Sequence, residues 1–400
     1  LQYGYPIAGY DHDELRKLSA LMDGGAKRKE VGGVAQGDID TQASRAYCWT
    51  NGSSQGLDLA LRALVPRGST VLVESATYFL AADTIRNAGA NIDSVPLDPA
   101  TGMDLDALEA TVAEYARTPE QRVTAIYCIP SFQNPTGAMM SRENRMRLVE
   151  LSRRYNFYVI SDDVYQWMHF VTPTGDRRAW AAAPYLTDFD EARDDDPGEC
   201  GVVSLNTFSK LLGPGLRLGW LQTHKSRADR IIGAISRLGF IQSGGGLNPF
   251  AATVVSAAMK SGAVARHVEE ARDEYTKLSA HLASCVREQA DAAGLGEHIS
   301  FDEPRGGYFV WIRIAGMDTR HLLARAKAAN DVLFKDGRTC DAMRSEAWSE
   351  YIRLSFAFQT LDDISEGVRR LFVHIVAELE EPGGAARTAT AGAPTHVEIS

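Results

Sequence analysis

Short apolar runs alternate along the chain with longer stretches whose apolar residues recur every three or four positions. The runs TVLVE (70–74), NIDSVPL (91–97), VTAIYCIP (123–130), FYVISDD (157–163), GVVSLNTF (201–208) and LRLGWLQ (216–222) predict strands. Their near-continuous apolar character is that of strands covered on both faces. Between them, SQGLDLALRAL (54–64), YFLAADTIRNAG (78–89), DLDALEATVAEYAR (104–117) and RENRMRLVELSRRYN (142–156) predict helices. Such alternation predicts an α/β fold with a mostly parallel sheet and helices on both of its faces.

After residue 240 the texture changes. GGGLNPF (244–250) reads as a loop, and long helices follow through roughly 248–292. ISFDEPRGGYFVWIRI (299–314), a helix near 318–329, YIRLSFAF (351–358) and a last helix near 361–379 give an α+β texture. The expected organisation is a large α/β domain over 1–290, interrupted by a Pro/Ala/Asp-rich excursion loop at 170–200, and a smaller α+β domain over 291–381. The low-complexity residues 382–400 predict a disordered tail.

Composition narrows the function classes. The 400 residues are 44% hydrophobic and 24% charged, which is ordinary for a globular chain. The net charge of −10 is spread without a basic run, so neither nucleic acid nor an anionic membrane is expected as a partner. No apolar run reaches spanning length and no signal peptide opens the chain. Five scattered cysteines without a CxxC predict a reduced, cytoplasmic protein and no metal site. The chain opens at Leu1 rather than Met, which leaves room for a preceding segment and, if that segment were a targeting peptide, for a mitochondrial location.

In open α/β sheets, ligands bind beyond the C-terminal ends of the strands, so unusual residues there are candidates. TNGSSQGLDLAL (50–61) is a Gly-Ser-Ser turn feeding a helix, and the free N–H groups of such a turn make an anion site. Taken alone, it reads more simply as a serine N-cap. ISDDVYQW (160–167) places Asp162 at the end of a buried strand, where a carboxylate needs a partner, with Tyr165 three residues on. Asn134 in PSFQNPTG (130–137) is at another strand end and is equally at home in a plain turn. Lys210 in TFSK ends the next strand, and Arg217 follows across a Gly-Pro-Gly turn. Arg353 stands inside the apolar run YIRLSFAF, where a guanidinium wants a bidentate anion.

Each signal is modest, but together they fit one ligand. A phosphate cradle (Gly52, Ser53, Ser54, Thr207, Ser209, Arg217), a lysine, a carboxylate and an arginine for a second anion suit pyridoxal 5′-phosphate. That cofactor needs a Schiff-base lysine and an acidic partner for its ring nitrogen.

The ordered motifs LQYGYPIAGYDHDELRKL, TNGSSQGLDL, ATYF, PSFQNPTG, SDDVY, FSKLLGPGLRLGW, GGGLNPF, PRGGYFVW and YIRLSFA, from Leu1 to about residue 380, carry a resemblance. The chain resembles a fold-type I pyridoxal-phosphate enzyme of the class I/II aminotransferases, in the branch of 2-aminoadipate and kynurenine aminotransferases. The resemblance implies the aspartate aminotransferase-like fold and a ping-pong transfer of an amino group from an L-amino acid to a 2-oxo acid such as 2-oxoglutarate. It implies that Lys210 binds the cofactor and shuttles a proton, and that Asp162 keeps the ring nitrogen protonated. Asn134 and Tyr165 are implied at the ring's phenolate oxygen and Tyr78 on the ring face. Ser53, Ser54, Thr207, Ser209 and Arg217 would hold the phosphate, and Arg353 the substrate α-carboxylate. Tyr3 would reach the phosphate of a second subunit, which implies a homodimer with shared sites. Relatives carry an arm and helix ahead of LQYG that help gate the substrate.

The chain departs from the family pattern at Ser54, often Gln, at Thr207, usually Ser, and at FKDGRTCDAM (334–343), which replaces a small Pro-Gly turn. Two other readings use the same residues: a lyase or decarboxylase on this fold, and a non-catalytic regulatory domain that binds the cofactor. The amino donor is not legible from the sequence.

Overall fold

The structure, a computed structural model, describes residues 12–23, 44–117, 122–177, 179–198, 200–329, 331–380 and 397–398. Tyr3 lies outside the described residues. So does the tail expected at 382–400, except Val397–Glu398, which run parallel beside Val332–Leu333.

Seven strands form the main sheet, in the order Arg45–Thr50, Gly219–His224, Gly201–Thr207, Tyr158–Asp162, Val123–Cys128, Thr70–Glu74, Asn91–Val95. Only Gly219–His224 runs against its neighbours; the pairs among the other central strands are parallel. The six predicted strands are present with ends shifted by a few residues. The run 216–222 starts as a turn at Pro214–Leu216 and becomes strand only from Gly219. Arg45–Thr50 was not expected as a strand, because its pattern of Arg, Tyr and Thr carries no clear periodicity.

The sheet is buried on both faces, as the apolar runs require. Along the strands, Val71, Val73, Ala125, Tyr127, Ile160, Val203 and Leu205 join one core, while Leu72, Ile126, Cys128, Val159 and Val202 join another. This is the period-2 alternation of a strand between two layers. Helix Ser53–Leu64 packs its Leu57, Leu61 and Leu64 into the first core, and helices Leu105–Tyr115 and Arg142–Tyr155 cover the second.

A smaller C-terminal unit follows. Its antiparallel sheet has the order Ile299–Ser300, Phe309–Ile314, Tyr351–Ser355, Lys335–Asp336. Val310, Ile312, Ile314, Ile352 and Leu354 face a core shared with helices Ala263–Ala292, Thr319–Ala328 and Leu361–Glu380. The alternate residues therefore face the other way, toward the large sheet, and Arg353 is one of them. The segment 334–343 is stitched to that sheet: Thr77 N–H donates to Cys340 O at 2.8 Å, and Ala342 N–H to Ser75 O at 3.0 Å.

Among its described residues the excursion at 170–200 forms one short 3₁₀ helix, Leu186–Phe189, and otherwise turns and irregular chain. Buried ion pairs tie it down: Arg45 Nε to Asp188 at 2.6 Å, and Arg227 Nη2 to Asp190 at 3.1 Å and to Asp196 at 2.5 Å.

Candidate active site

Asp162 and Thr207 are the last residues of adjacent parallel strands. Gly52 and Asn134 follow two others, and Gly219 opens the reversed strand at the same edge. The backbone therefore delivers the separate motifs to one cleft of about 400 Å³. Ser53, Ser54, Tyr78, Asn134, Asp162, Tyr165, Thr207, Ser209, Lys210, Arg217 and Arg353 all line it. Gly52 sits directly beneath its floor, where a Cβ would come within 3.2 Å of Arg217 Nη2. Of the residues expected from sequence, only Tyr3 is not placed.

One end of the cleft is an anion cradle. Helix Ser53–Leu64 has Gly52 as its N-cap, at φ 89°, with no side-chain capping bond. The plain serine cap is thus not formed: Ser53 and Ser54 are the first two helical residues, and the N–H groups of that turn are left facing the cleft. Arg217, in left-handed conformation at φ 46°, lays its guanidinium across them, with Nη1 3.3 Å from Ser209 Oγ and Nη2 3.3 Å from Asn51 O. Ser209 N–H donates to Thr207 Oγ1 at 3.1 Å. Gly219 lets these pieces meet: a Cβ there would lie 2.8 Å from Gly52 Cα and 2.4 Å from Asn206 O.

At the centre, Asp162 is buried with one oxygen committed and one free. Tyr127 Oη donates to Oδ2 at 2.6 Å, while Oδ1 is buried without a partner. Burial pushes this carboxyl up to about 7, against the Tyr127 bond and the nearby Lys210 charge, which favour the ionised form. Lys210 Nζ lies 5.9 Å from the Tyr165 ring centre and 5.2 Å from that of Tyr308. Burial and then Arg353 hold its amine below the ordinary lysine range, only partly opposed by Asp162. Tyr308 Oη donates to Lys210 O at 2.5 Å and so fixes the lysine's backbone.

At the other end, Arg353 Nη1 donates to Asn134 Oδ1 at 2.9 Å, and its Cζ stands 4.0 Å from the Phe309 ring centre. Its buried Nε has no partner. Phe79, Leu80, Tyr308, Phe309 and Phe358 add an apolar wall.

An unpartnered buried carboxylate oxygen, an open helix N-terminus crossed by an arginine, and a lysine between them are the complement of a flat ring carrying a phosphate and a basic nitrogen. The residues fit pyridoxal 5′-phosphate. The comparisons with known proteins agree. The family profile "Aminotransferase class I and II" matches residues 8–371. The chain belongs to this family. It is a pyridoxal-phosphate-dependent aminotransferase. The 2-aminoadipate transaminase of Thermus thermophilus is 32% identical over 326 residues, 80% of this chain and 73% of the relative. The aromatic-amino-acid aminotransferase 1 of Thermococcus litoralis is 28% identical over 334 residues, 83% of this chain and 73% of the relative. The crystal structure of the α-aminoadipate aminotransferase LysN from Thermus thermophilus, complexed with N-(5′-phosphopyridoxyl)-L-leucine, superposes with a TM-score of 0.71 at 28% identity and covers 95% of this chain and 84% of that one.

Reading the sequence missed the apolar cleft wall of Phe79, Leu80, Tyr308, Phe309 and Phe358, and two polar residues behind the cleft, Tyr127 and Glu74. Tyr127 and Glu74 are hidden in apolar strands that read as core. Glu74, a carboxylate ending TVLVE, carried the same signal as Asp162. Tyr308 stands inside PRGGYFVW and Phe358 at the end of YIRLSFAF, but which face each presents depends on the small sheet. Among the described residues, no group of three or more His, Cys, Asp or Glu could hold a metal, and no helix is long and apolar enough to cross a membrane.

Proposed function

We propose that the chain moves the amino group of a large, apolar L-amino acid to 2-oxoglutarate by a ping-pong mechanism, with the site residues in the following roles. The bound cofactor supplies the carbonyl that takes up the amine and the ring that withdraws electrons from the substrate Cα. Ser53, Ser54, Thr207, Ser209 and Arg217, with the N–H groups after Gly52, hold its phosphate. Asp162 Oδ1 accepts from the ring nitrogen and keeps it protonated. Asn134 and Tyr165 face the phenolate oxygen, and Tyr78 covers one ring face. Lys210 binds the cofactor and, once displaced by substrate, moves the proton at Cα. A buried amine held below the usual lysine range suits both tasks. Arg353 takes the substrate α-carboxylate and orients Cα toward Lys210.

The observation that carries this reading is the pairing of an unpartnered buried Asp162 Oδ1 with Lys210 in one cleft. The experiment is a half-reaction: protein loaded with pyridoxal phosphate, given one amino acid and no oxo acid, releases one equivalent of 2-oxo acid. A β-lyase would release oxo acid with ammonia well beyond one equivalent, a decarboxylase an amine and carbon dioxide, and a regulatory domain nothing.

The apolar wall of Phe79, Leu80, Tyr308, Phe309 and Phe358 supports an aromatic or long aliphatic donor. The names of the relatives, aromatic and 2-aminoadipate enzymes, are compatible with it. Support for 2-oxoglutarate comes from Lys335. It pairs directly with Arg353 in the small sheet, so the two side chains share one face of that sheet. Its Nζ lies 5.8 Å from the ring centre of Phe79, at the cleft wall. A second carboxylate on the acceptor meets a cation there. We further infer a homodimer in which Tyr3 of one subunit reaches the phosphate of the other, and residence in the cytoplasm. A division into a large domain over 1–290 and a small one over 291–381 completes the reading.

A further inference from the structure

Tyr127 is fully buried in the middle of the large sheet, away from the cleft, and reads as core. Its register says otherwise. Tyr127 pairs with Ile160 on the neighbouring parallel strand, and Asp162 is two residues further along that strand. Residues two apart on a strand share a face, so the Tyr127 ring and the Asp162 carboxylate lie on the same side of the sheet. The phenol leans toward the strand ends and its Oη donates to Asp162 Oδ2 at 2.6 Å. Among the described residues no other hydrogen bond reaches this carboxylate, and Oδ1 is buried and unpartnered.

A carboxylate on a single rotatable stem can present either oxygen in several orientations. A short bond from a buried, immobile donor removes that freedom: Oδ2 is held beneath and Oδ1 is turned into the cleft. We propose that Tyr127 is a positioning residue, which acts through Asp162 by fixing which carboxylate oxygen meets the cofactor's ring nitrogen and by keeping that carboxylate ionised. This rests on the reading that Asp162 takes the ring nitrogen. The bond also offsets part of the cost of an ionised carboxylate with no cation bonded to it, since a hydrogen bond to the charged form favours it.

The test is a double-mutant cycle on cofactor affinity, measured by titrating pyridoxal phosphate into cofactor-free protein and following absorbance, alongside melting temperature. Tyr127→Phe keeps the ring and its packing and removes only the hydroxyl. It should weaken the cofactor about fivefold to twentyfold. Asp162→Ala should weaken it more. Adding Tyr127→Phe to Asp162→Ala should then change the affinity by less than about twofold, because nothing remains to be positioned. Equal weakening by Tyr127→Phe in both backgrounds, or none in the native one, overturns the proposal: the tyrosine would then be core. Unchanged affinity in Asp162→Ala overturns the ring-nitrogen reading itself, which is a separate result. Should Tyr127→Phe alone not fold, with a buried carboxylate stranded, the comparison of Asp162→Ala with the double variant still decides. Equal cofactor affinity supports the proposal, and a further loss contradicts it.

Discussion

Arg353 and Asn134, 219 residues apart, are joined by a 2.9 Å hydrogen bond from Nη1 to Oδ1 across the cleft between the two sheets. The bond aligns the arginine while leaving Nε unpartnered. A clamp fixed in advance loses little freedom when an α-carboxylate arrives. Arg353→Ala should therefore lower kcat/KM by about tenfold to a hundredfold for every amino donor alike. Steady-state kinetics over several donors checks this, and an unchanged value for any good donor places the clamp elsewhere.

Gly219→Ala probes the cradle. Its Cβ would lie 2.4 Å from Asn206 O and 2.8 Å from Gly52 Cα, both backbone atoms that cannot swing aside. The change should cost about 1–3 kcal/mol of stability and push the helix N-terminus out of place. Cofactor affinity should fall together with the melting temperature. A variant that binds cofactor normally would show that the cradle tolerates the shift.

Lys335→Met tests the acceptor. It should raise KM for 2-oxoglutarate about threefold to tenfold, as expected for a partly exposed ion pair at the upper end of its range. KM for a monocarboxylic 2-oxo acid should not move. Equal effects on both acceptors would remove Lys335 from the site.

Glu74 sets a pH dependence. It is buried, accepts from Ile129 N–H at 3.1 Å and Gln133 Nε2 at 3.0 Å, and is pushed up to about 8 by burial, with Asp162 adding to the rise. The folded state thus holds a proton that the unfolded chain has released above its ordinary carboxylate value. Stability is then lost as pH rises between the two values, here from about 4.5 to about 8. Asp162, raised to about 7, works in the same direction in cofactor-free protein. Cofactor-free protein should therefore melt at a lower temperature at pH 8 than at pH 5, by an amount corresponding to a few kcal/mol. Glu74→Gln should flatten that slope. A slope left intact by the substitution would assign it to other groups.

What the sequence made legible, and what it did not, follows from where each residue's partner lies. Lys210, Asp162 and Asn134 were legible because each is a polar residue at the end of an apolar run, and the α/β pattern already says that such ends converge; Arg217 was legible because it follows Lys210 across a Gly-Pro-Gly turn. Arg353 stood out because a guanidinium interrupts an apolar strand. Tyr127 was not legible, since a tyrosine in a buried strand looks like packing until the register beside Asp162 is known. Lys335 required the pairing with Arg353 in the small sheet. The edge strand Arg45–Thr50 escaped because what defines it is non-local: its ladder partner begins at Gly219 and the ion pair of Arg45 is with Asp188, 143 residues away.

Lys210 is the residue proposed to perform amino transfer on bound pyridoxal phosphate. The most direct measurement is the visible absorption of cofactor-loaded protein before and after an amino donor without oxo acid, with the released 2-oxo acid assayed, in the native chain and in Lys210→Ala. The native protein should lose its visible band and release one equivalent of oxo acid, while Lys210→Ala should still bind cofactor and release none. Oxo acid released at an undiminished rate by Lys210→Ala, or no band in the native protein, would contradict the account.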